Sequence, residues 1–285
     1  MENETNKGTS PVVSGPNARV VAVASGKGGV GKTSVAANLA ISLGRSGRRV
    51  LAMDADLGLS NLDLLFGVSP VLTLLDVFDG VTTLKEVLCP VAEGVMLLPG
   101  CAGNYDLANL EVKKRYHLFD TIDTLEDDFD VLVLDTGAGI GSNAVSFAGA
   151  ASDVVIVINP DPTSLADAYA FMKVASGQFQ VKKYNIVSNR VTGAAEGEDV
   201  YRRLADFTAR FLTVGLDYLG HIPQDGAVVR AVRAGIPLLI GDPDAPASRC
   251  VHGIARKILS MPQDTSGSNG IRLFWKRVVG LKEAS

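Results

Sequence analysis

The sequence predicts an α/β fold, a doubly wound and mostly parallel sheet flanked by helices, and two observations carry that expectation. Short apolar runs suited to buried strands recur at residues 20–24, 49–53, 95–98, 131–135, 153–158, 184–188 and 216–222, and helix-patterned segments at 106–126, 164–177, 199–212 and 226–234 lie between several of them. A glycine-rich turn directly follows the first run, at the carboxyl end of a strand, where sheets of this kind hold their ligands. With 285 residues and 47% hydrophobic content the chain can bury one large core, and residues 19–260 read as a single domain with no internal linker or repeat. Residues 1–18 are polar and rich in Ser, Asn, Gly and Pro, which predicts a flexible arm.

Composition narrows the class. No apolar stretch approaches the ~20 residues that span a bilayer, and the N-terminus lacks a signal-peptide core, so a cytoplasmic location is expected. Cys89, Cys101 and Cys250 have no metal-ligand spacing and read as reduced, structural thiols. A net charge of -4 speaks against a nucleic-acid footprint over the whole surface.

Taken in order, the first strand, Val20-Val21-Ala22-Val23-Ala24, leads into Gly-Lys-Gly-Gly-Val-Gly-Lys-Thr at residues 26–33, and Ser34 opens a helical segment. The octet fits the Gly-x4-Gly-Lys-Ser/Thr phosphate loop in its required strand-loop-helix context. Glycines let successive N–H groups turn inward, and the positive end of the helix dipole adds to them, so Gly28, Gly29, Val30, Gly31, Lys32, Thr33 and Ser34 form the expected polyphosphate seat for ATP. Lys32 is placed to reach the β- and γ-phosphates and Thr33 to offer its hydroxyl to Mg2+. Lys27 is the unusual member. Two lysines in one loop repel each other unless phosphate charge offsets them, and a side chain leaving the start of the loop can point toward a nucleotide held by a facing subunit.

The run at 49–53 ends in Asp54-Ala55-Asp56, and the run at 131–134 ends in Asp135-Thr136-Gly137. Carboxylates at strand tips suit Mg2+, an oxygen-seeking ion, and Asp135 has the position of a Walker-B acid. Asn189 and the segment Ile222-Pro223-Gln224-Asp225 fall at the ends of later strands, on the same ligand side.

The Lys-Gly-Gly-x-Gly-Lys-Thr loop resembles that of the deviant Walker-A P-loop ATPases, the group containing MinD and ParA. The resemblance implies a slow, partner- or membrane-stimulated ATPase that forms a nucleotide-sandwich homodimer, with Lys27 contacting the partner's ATP. It further implies that Asp56 orients the attacking water, that Asp54 stands near the metal, that Asn189 contacts adenine, and that Pro223 and Asp225 line its pocket. The stretch Asp-Ala-Asp-Leu-Gly-Leu-Ser-Asn-Leu-Asp after the second strand is closer to the MinD branch. Asp135-Thr136-Gly137-Ala138-Gly139-Ile140 and the string from Pro160 to Tyr169 resemble the flagellar-placement ATPases called FlhG or FleN. That resemblance spans roughly residues 19–260. Its implied partners are flagellar assembly proteins: an FlhF-like GTPase, switch-complex components or a transcription factor. Residues 1–18 contain no Asp-Gln-Ala-x-x-Leu-Arg motif, so stimulation of an FlhF-like GTPase is not implied. The alternatives are MinD-type division-site placement and ParA-type DNA segregation. The latter would use Arg202, Arg203 and Arg210 or Arg230 and Arg233, for which a solvated helix face is the plainer reading.

After a polar linker at 261–270, residues 271–285 predict a cationic amphipathic helix with Ile271, Phe274, Trp275, Val278 and Lys282 near one face. Such a helix suits an anionic membrane surface and is similar to the C-terminal targeting helix of MinD and FlhG. It places the ATP form peripherally on the inner face of the cell membrane, at a pole in the flagellar reading. Its other reading is a final helix docked on the body.

Overall fold

The computed structural model describes residues 18–55, 61–73, 76–77, 79–99, 125, 127–262, 270–271 and 274–278. Along them run β1 (Arg19–Ser25), α1 (Lys32–Arg45), β2 (Val50–Asp54), α2 (Leu62–Phe66), α3 (Leu84–Val87), β3 (Cys89–Ala92), β4 (Val95–Leu98), β5 (Val131–Ala138), α4 (Ser142–Ala150) and β6 (Asp153–Ile158). They continue with α5 (Pro162–Phe179), β7 (Lys183–Val191), α6 (Ala194–Ala209), β8 (Gly215–Pro223), α7 (Gly226–Ala234), α8 (Leu238–Gly241) and α9 (Pro246–Ser260).

The strands form one sheet in the order β3-β4-β2-β5-β1-β6-β7-β8. Every pairing is parallel except β3 with β4, as the alternating pattern predicts. Each predicted strand is present, with ends shifted by at most a few residues. The predicted helix at 106–126 falls outside the described residues apart from Leu125. β3 was not legible because it is a short antiparallel edge strand carrying Pro90, with its residues half-buried or exposed.

Both faces of the sheet are covered, so side chains that alternate along a strand enter two separate cores. Val20, Ala22, Ala24, Leu132, Leu134, Ile156 and Ile186 pack toward α4, α5 and α6. Val21, Val23, Val131, Val133, Val155 and Val187 pack toward α1, α7, α8 and α9. This explains why the central strands are uninterrupted apolar runs.

Arg19 ties the two ends of the domain together at the opposite end of β1 from the glycine loop. Its guanidinium pairs with Asp153 at 2.7 Å and donates to the carbonyls of Ile258 and Met261 at the end of α9, where the helix dipole favours a cation.

The C-terminal stripe takes the docked reading in this structure. Residues 274–278 are helical, but Ile271, Phe274, Trp275 and Val278 are all at most 2% exposed and belong to the core beside α4. Trp275 meets the Phe147 ring edge-on at 6.0 Å between centroids, and Phe274 stacks on the same ring at 5.9 Å. The apolar face predicted for a membrane is spent on the body, because an amphipathic stripe specifies burial and not the surface that provides it. Lys282 and most of the linker lie outside the described residues.

Candidate functional site

The glycine loop sits where the chain turns outward in both directions. From β1 the chain crosses to β2 on one side, and from β5 it crosses over β1 to β6 on the other, so the loop faces the crevice at the carboxyl ends of the strands. A cavity of about 870 Å³ opens there. Lys27, Gly28, Gly29, Gly31, Lys32, Thr33, Ser34, Asp135, Asn189, Pro223 and Asp225 all line it, which brings most of the predicted residues to one site. Val30 is buried behind the loop. Asp56 lies outside the described residues.

The loop needs glycine for two different reasons. Gly31 precedes α1 with a φ of 93°, a left-handed conformation costly for other residues. Gly26 has an ordinary φ, but a Cβ on it would fall 2.1 Å from the backbone of Asp167 in α5.

Lys32 is buried and pairs with Asp135 at 2.5 Å, and Asp135 is 2% exposed. Asp54 and Asp135 occupy matched positions on neighbouring parallel strands. Their surroundings differ. Oδ2 of Asp54 accepts from the N–H groups of Asn61 and Leu62 at 2.8 and 3.0 Å, so this carboxylate fastens the start of α2, and among the described residues it is not part of the cavity wall. The resemblance places Asp54 near the metal; in this structure its carboxylate fastens a helix start, a use of carboxylates that sequence does not distinguish from metal binding.

Lys27 is held within its own chain. Its ammonium donates to Asp161 at 2.8 Å and to Thr163 Oγ1 at 2.6 Å. The bond from Lys27, with those from the Thr163 N–H and side chain, lowers the Asp161 carboxyl to about 2. Asp161 is also the N-cap of α5, ahead of Pro162 at its first turn. Sequence reasoning marked this string only as a family label. The acid at its start was the available signal that it meets Lys27.

Asn189 and Asp225, the residues implied for the base, line the cavity and are already engaged. Asn189 Nδ2 donates to the Val30 carbonyl, and Asp225 caps α7 through Ala227 while accepting from Ala247 of α9. The wall also includes Leu64 and Leu65 of α2 and Val228 and Val232 of α7, an apolar slot that the sequence reading missed. The i, i+4 valines on the predicted helix at 226–234 were its signal.

Among the described residues there is no cluster of metal-binding side chains of the His/Cys/Asp/Glu type, and no helix is long and apolar enough to cross a membrane. Cys89 and Cys250 are free, and burial pushes the Cys250 thiol up, consistent with structural roles. Cys101 lies outside the described residues.

Comparison with known proteins agrees with this geometry. The chain is 38% identical over 261 residues to the antiactivator FleN of Pseudomonas aeruginosa, covering 92% of this chain and 93% of that one. It is 34% identical over 267 residues to the flagellum site-determining protein YlxH of Helicobacter pylori, covering 92% and 90%. The septum site-determining protein MinD of Pyrococcus horikoshii, solved with Mg-ADP, is 27% identical and superposes with a TM-score of 0.67 over 85% of this chain and 96% of its own. The family described as the CobQ/CobB/MinD/ParA nucleotide binding domain matches residues 21–238, and the chain, with its paired loop lysines and strand-tip Asp135, belongs to that family.

Proposed function

We propose that this protein is an ATPase switch that sets the placement or number of flagella, cycling between a monomer and an ATP-held homodimer. The observation that carries it is the buried Lys32–Asp135 pair beside a glycine loop whose second lysine, Lys27, sits 41% exposed at the cavity mouth. Likeness to FleN and YlxH along nearly the whole chain supports the flagellar reading over division-site placement.

The residues fit the implied groups. Thr33 and Asp135 present a hydroxyl and a carboxylate to the same cavity, an oxygen set suited to Mg2+. When bound, the ion would neutralise charge on the β- and γ-oxygens. Lys32 would exchange its contact with Asp135 for the phosphates, the loop amides would hold the γ-phosphate for in-line attack by water, and Asp56 would orient that water. Lys27 must leave Asp161 and Thr163 to reach a partner's nucleotide, so ATP and the second subunit together replace an internal ion pair.

Three of the five arginines that DNA segregation would use are paired. Arg202, Arg203 and Arg230 pair with Glu198, Asp199 and Asp242 and so offer less free positive charge to a phosphate backbone.

A deletion strain should show altered flagellar number with unaltered division sites, and a fluorescent fusion should form polar foci. Light scattering should find a monomer with ADP and a dimer with ATP when hydrolysis is blocked, and Lys27→Ala should lose that dimer. Normal flagellation together with mid-cell division defects would move the assignment to division-site placement.

Membrane association in this cycle has to draw the tail off the body. Each of the four buried apolar side chains contributes ~1.5–3 kcal/mol through burial, and a bilayer would offer the same side chains no more, so a docked monomer should bind membranes poorly. Two tails on one dimer shift the balance through avidity, by ~100-fold or more. Anionic liposomes should therefore sediment the protein better with ATP than with ADP, and removal of residues 271–285 should abolish sedimentation. Trp275 is the single tryptophan and is already buried, so its emission should be blue-shifted before liposomes are added. A truncated protein that pellets as well as the full chain would remove the tail from any membrane role.

A further inference from the structure

We infer that Asn189 is a positioning residue for the phosphate loop, so that one side chain joins the base end of the cavity to the phosphate end. This rests on the nucleotide-site reading above and goes beyond an adenine contact.

The orientation of the side chain is determined at both ends. Its Oδ1 accepts from the N–H of Arg190 at 2.9 Å, and its Nδ2 donates to the carbonyl of Val30 at 2.7 Å, 159 positions away in sequence. Turning the amide over would set oxygen against carbonyl and N–H against N–H, so the hydrogen bonds leave one orientation. The group is 8% exposed, and Arg190 beside it takes a φ of 57°, an uncommon conformation for a residue with a side chain.

What the bond holds is a peptide plane. The carbonyl of Val30 and the N–H of Gly31 belong to one trans peptide and point in opposite directions, so fixing the first fixes the second. Gly31 lines the cavity, and an inward N–H at that position is what an anion-binding loop requires. Gly31, at φ of 93°, flanks that plane and gives it freedom to rotate. Asn189 removes the freedom. It also occupies the space beside Gly31, where a Cβ would lie 2.4 Å from Nδ2. The loop glycine and the asparagine at the tip of β7 are therefore a matched pair. A residue that only read the base would have no reason to be bonded to the loop.

The test separates the two ends of the ligand. Affinities for Mg-ATP and for Mg-tripolyphosphate, which has no base, are measured by displacement of a fluorescent ADP analogue from the full chain. Asn189→Ala should weaken both ligands by about tenfold or more, the consequence of losing a buried hydrogen-bond partner. Asn189→Asp is nearly isosteric and keeps the acceptor for Arg190, but turns an oxygen toward the Val30 carbonyl. Its tripolyphosphate affinity relative to wild type should be low at neutral pH and recover on acidification, when the protonated carboxyl can donate again. This variant covers the case in which the alanine form does not fold. Wild-type affinity for tripolyphosphate in both variants, with only ATP weakened, would overturn the inference and leave a base contact. A wild type that binds ATP but ignores tripolyphosphate would overturn it too, because the loop would then not seat phosphate independently of the base. A wild type that binds neither would instead remove the nucleotide-site reading.

Discussion

Replacing Lys32 with alanine is expected to lower affinity for ATP by at least about 100-fold, ~2.7 kcal/mol, and to leave no measurable hydrolysis. Lys32 emerges from the first turn of α1, within a loop whose amides can neutralise only part of a triphosphate. Its charge is buried, where electrostatic interactions are screened less than at the surface. The substitution also takes away the ion-pair partner of Asp135, the acid proposed to hold the metal. Calorimetric titration with Mg-ATP and a phosphate-release assay would measure both losses. Asp56→Ala provides the contrast: binding should persist while single-turnover hydrolysis stalls, since a residue that orients water contributes after the nucleotide is seated. Wild-type binding by Lys32→Ala would contradict the phosphate-loop assignment. Normal hydrolysis by Asp56→Ala would contradict only the role of that aspartate.

Arg19→Ala is expected to produce the largest loss of stability, about 3 kcal/mol. The guanidinium makes two bonds to Asp153, whose side chain is 15% exposed, and two to carbonyls at the end of α9. Removing it leaves a mostly buried carboxylate without that partner and uncaps a helix that covers one face of the sheet. The residual solvent contact of Asp153 places the cost at the lower end of the range for broken buried pairs. Arg19→Lys should recover part of it, because a single ammonium keeps the charge but cannot reproduce the fork of donors. Urea unfolding would read the difference directly. A change below about 1 kcal/mol would mean that the pair behaves like a solvent-screened surface bridge. ATP binding by the surviving folded protein should be little changed, since Arg19 lies at the far end of β1 from the loop.

These two sites differ in how far sequence could disclose them. Lys32 belongs to a contiguous octet whose spacing has one chemical use, and its strand and helix flanks are written on either side. Asp135 follows an apolar run, so its place at a strand tip was equally local. Arg19 carried no signal, because its partners are 134 and 239 positions away. The helix α9 was missed although Pro246 marks its first turn, and α4 was missed because its Gly, Ala and Ser content gives little periodic contrast.

What the sequence determined by itself was therefore local: alternating strands and helices, a phosphate loop, acids at strand ends, and an amphipathic pattern at residues 271–285. Tertiary structure decided the strand order and with it every long-range pairing. It set Lys27 against Asp161, Asp54 against the start of α2, Asn189 against the loop, and the tail against Phe147. The physical reason is the same in each case. A pattern of polar and apolar residues states which faces must be buried and which groups need partners, whereas the identity of the partner depends on which surfaces the folded sheet brings within reach.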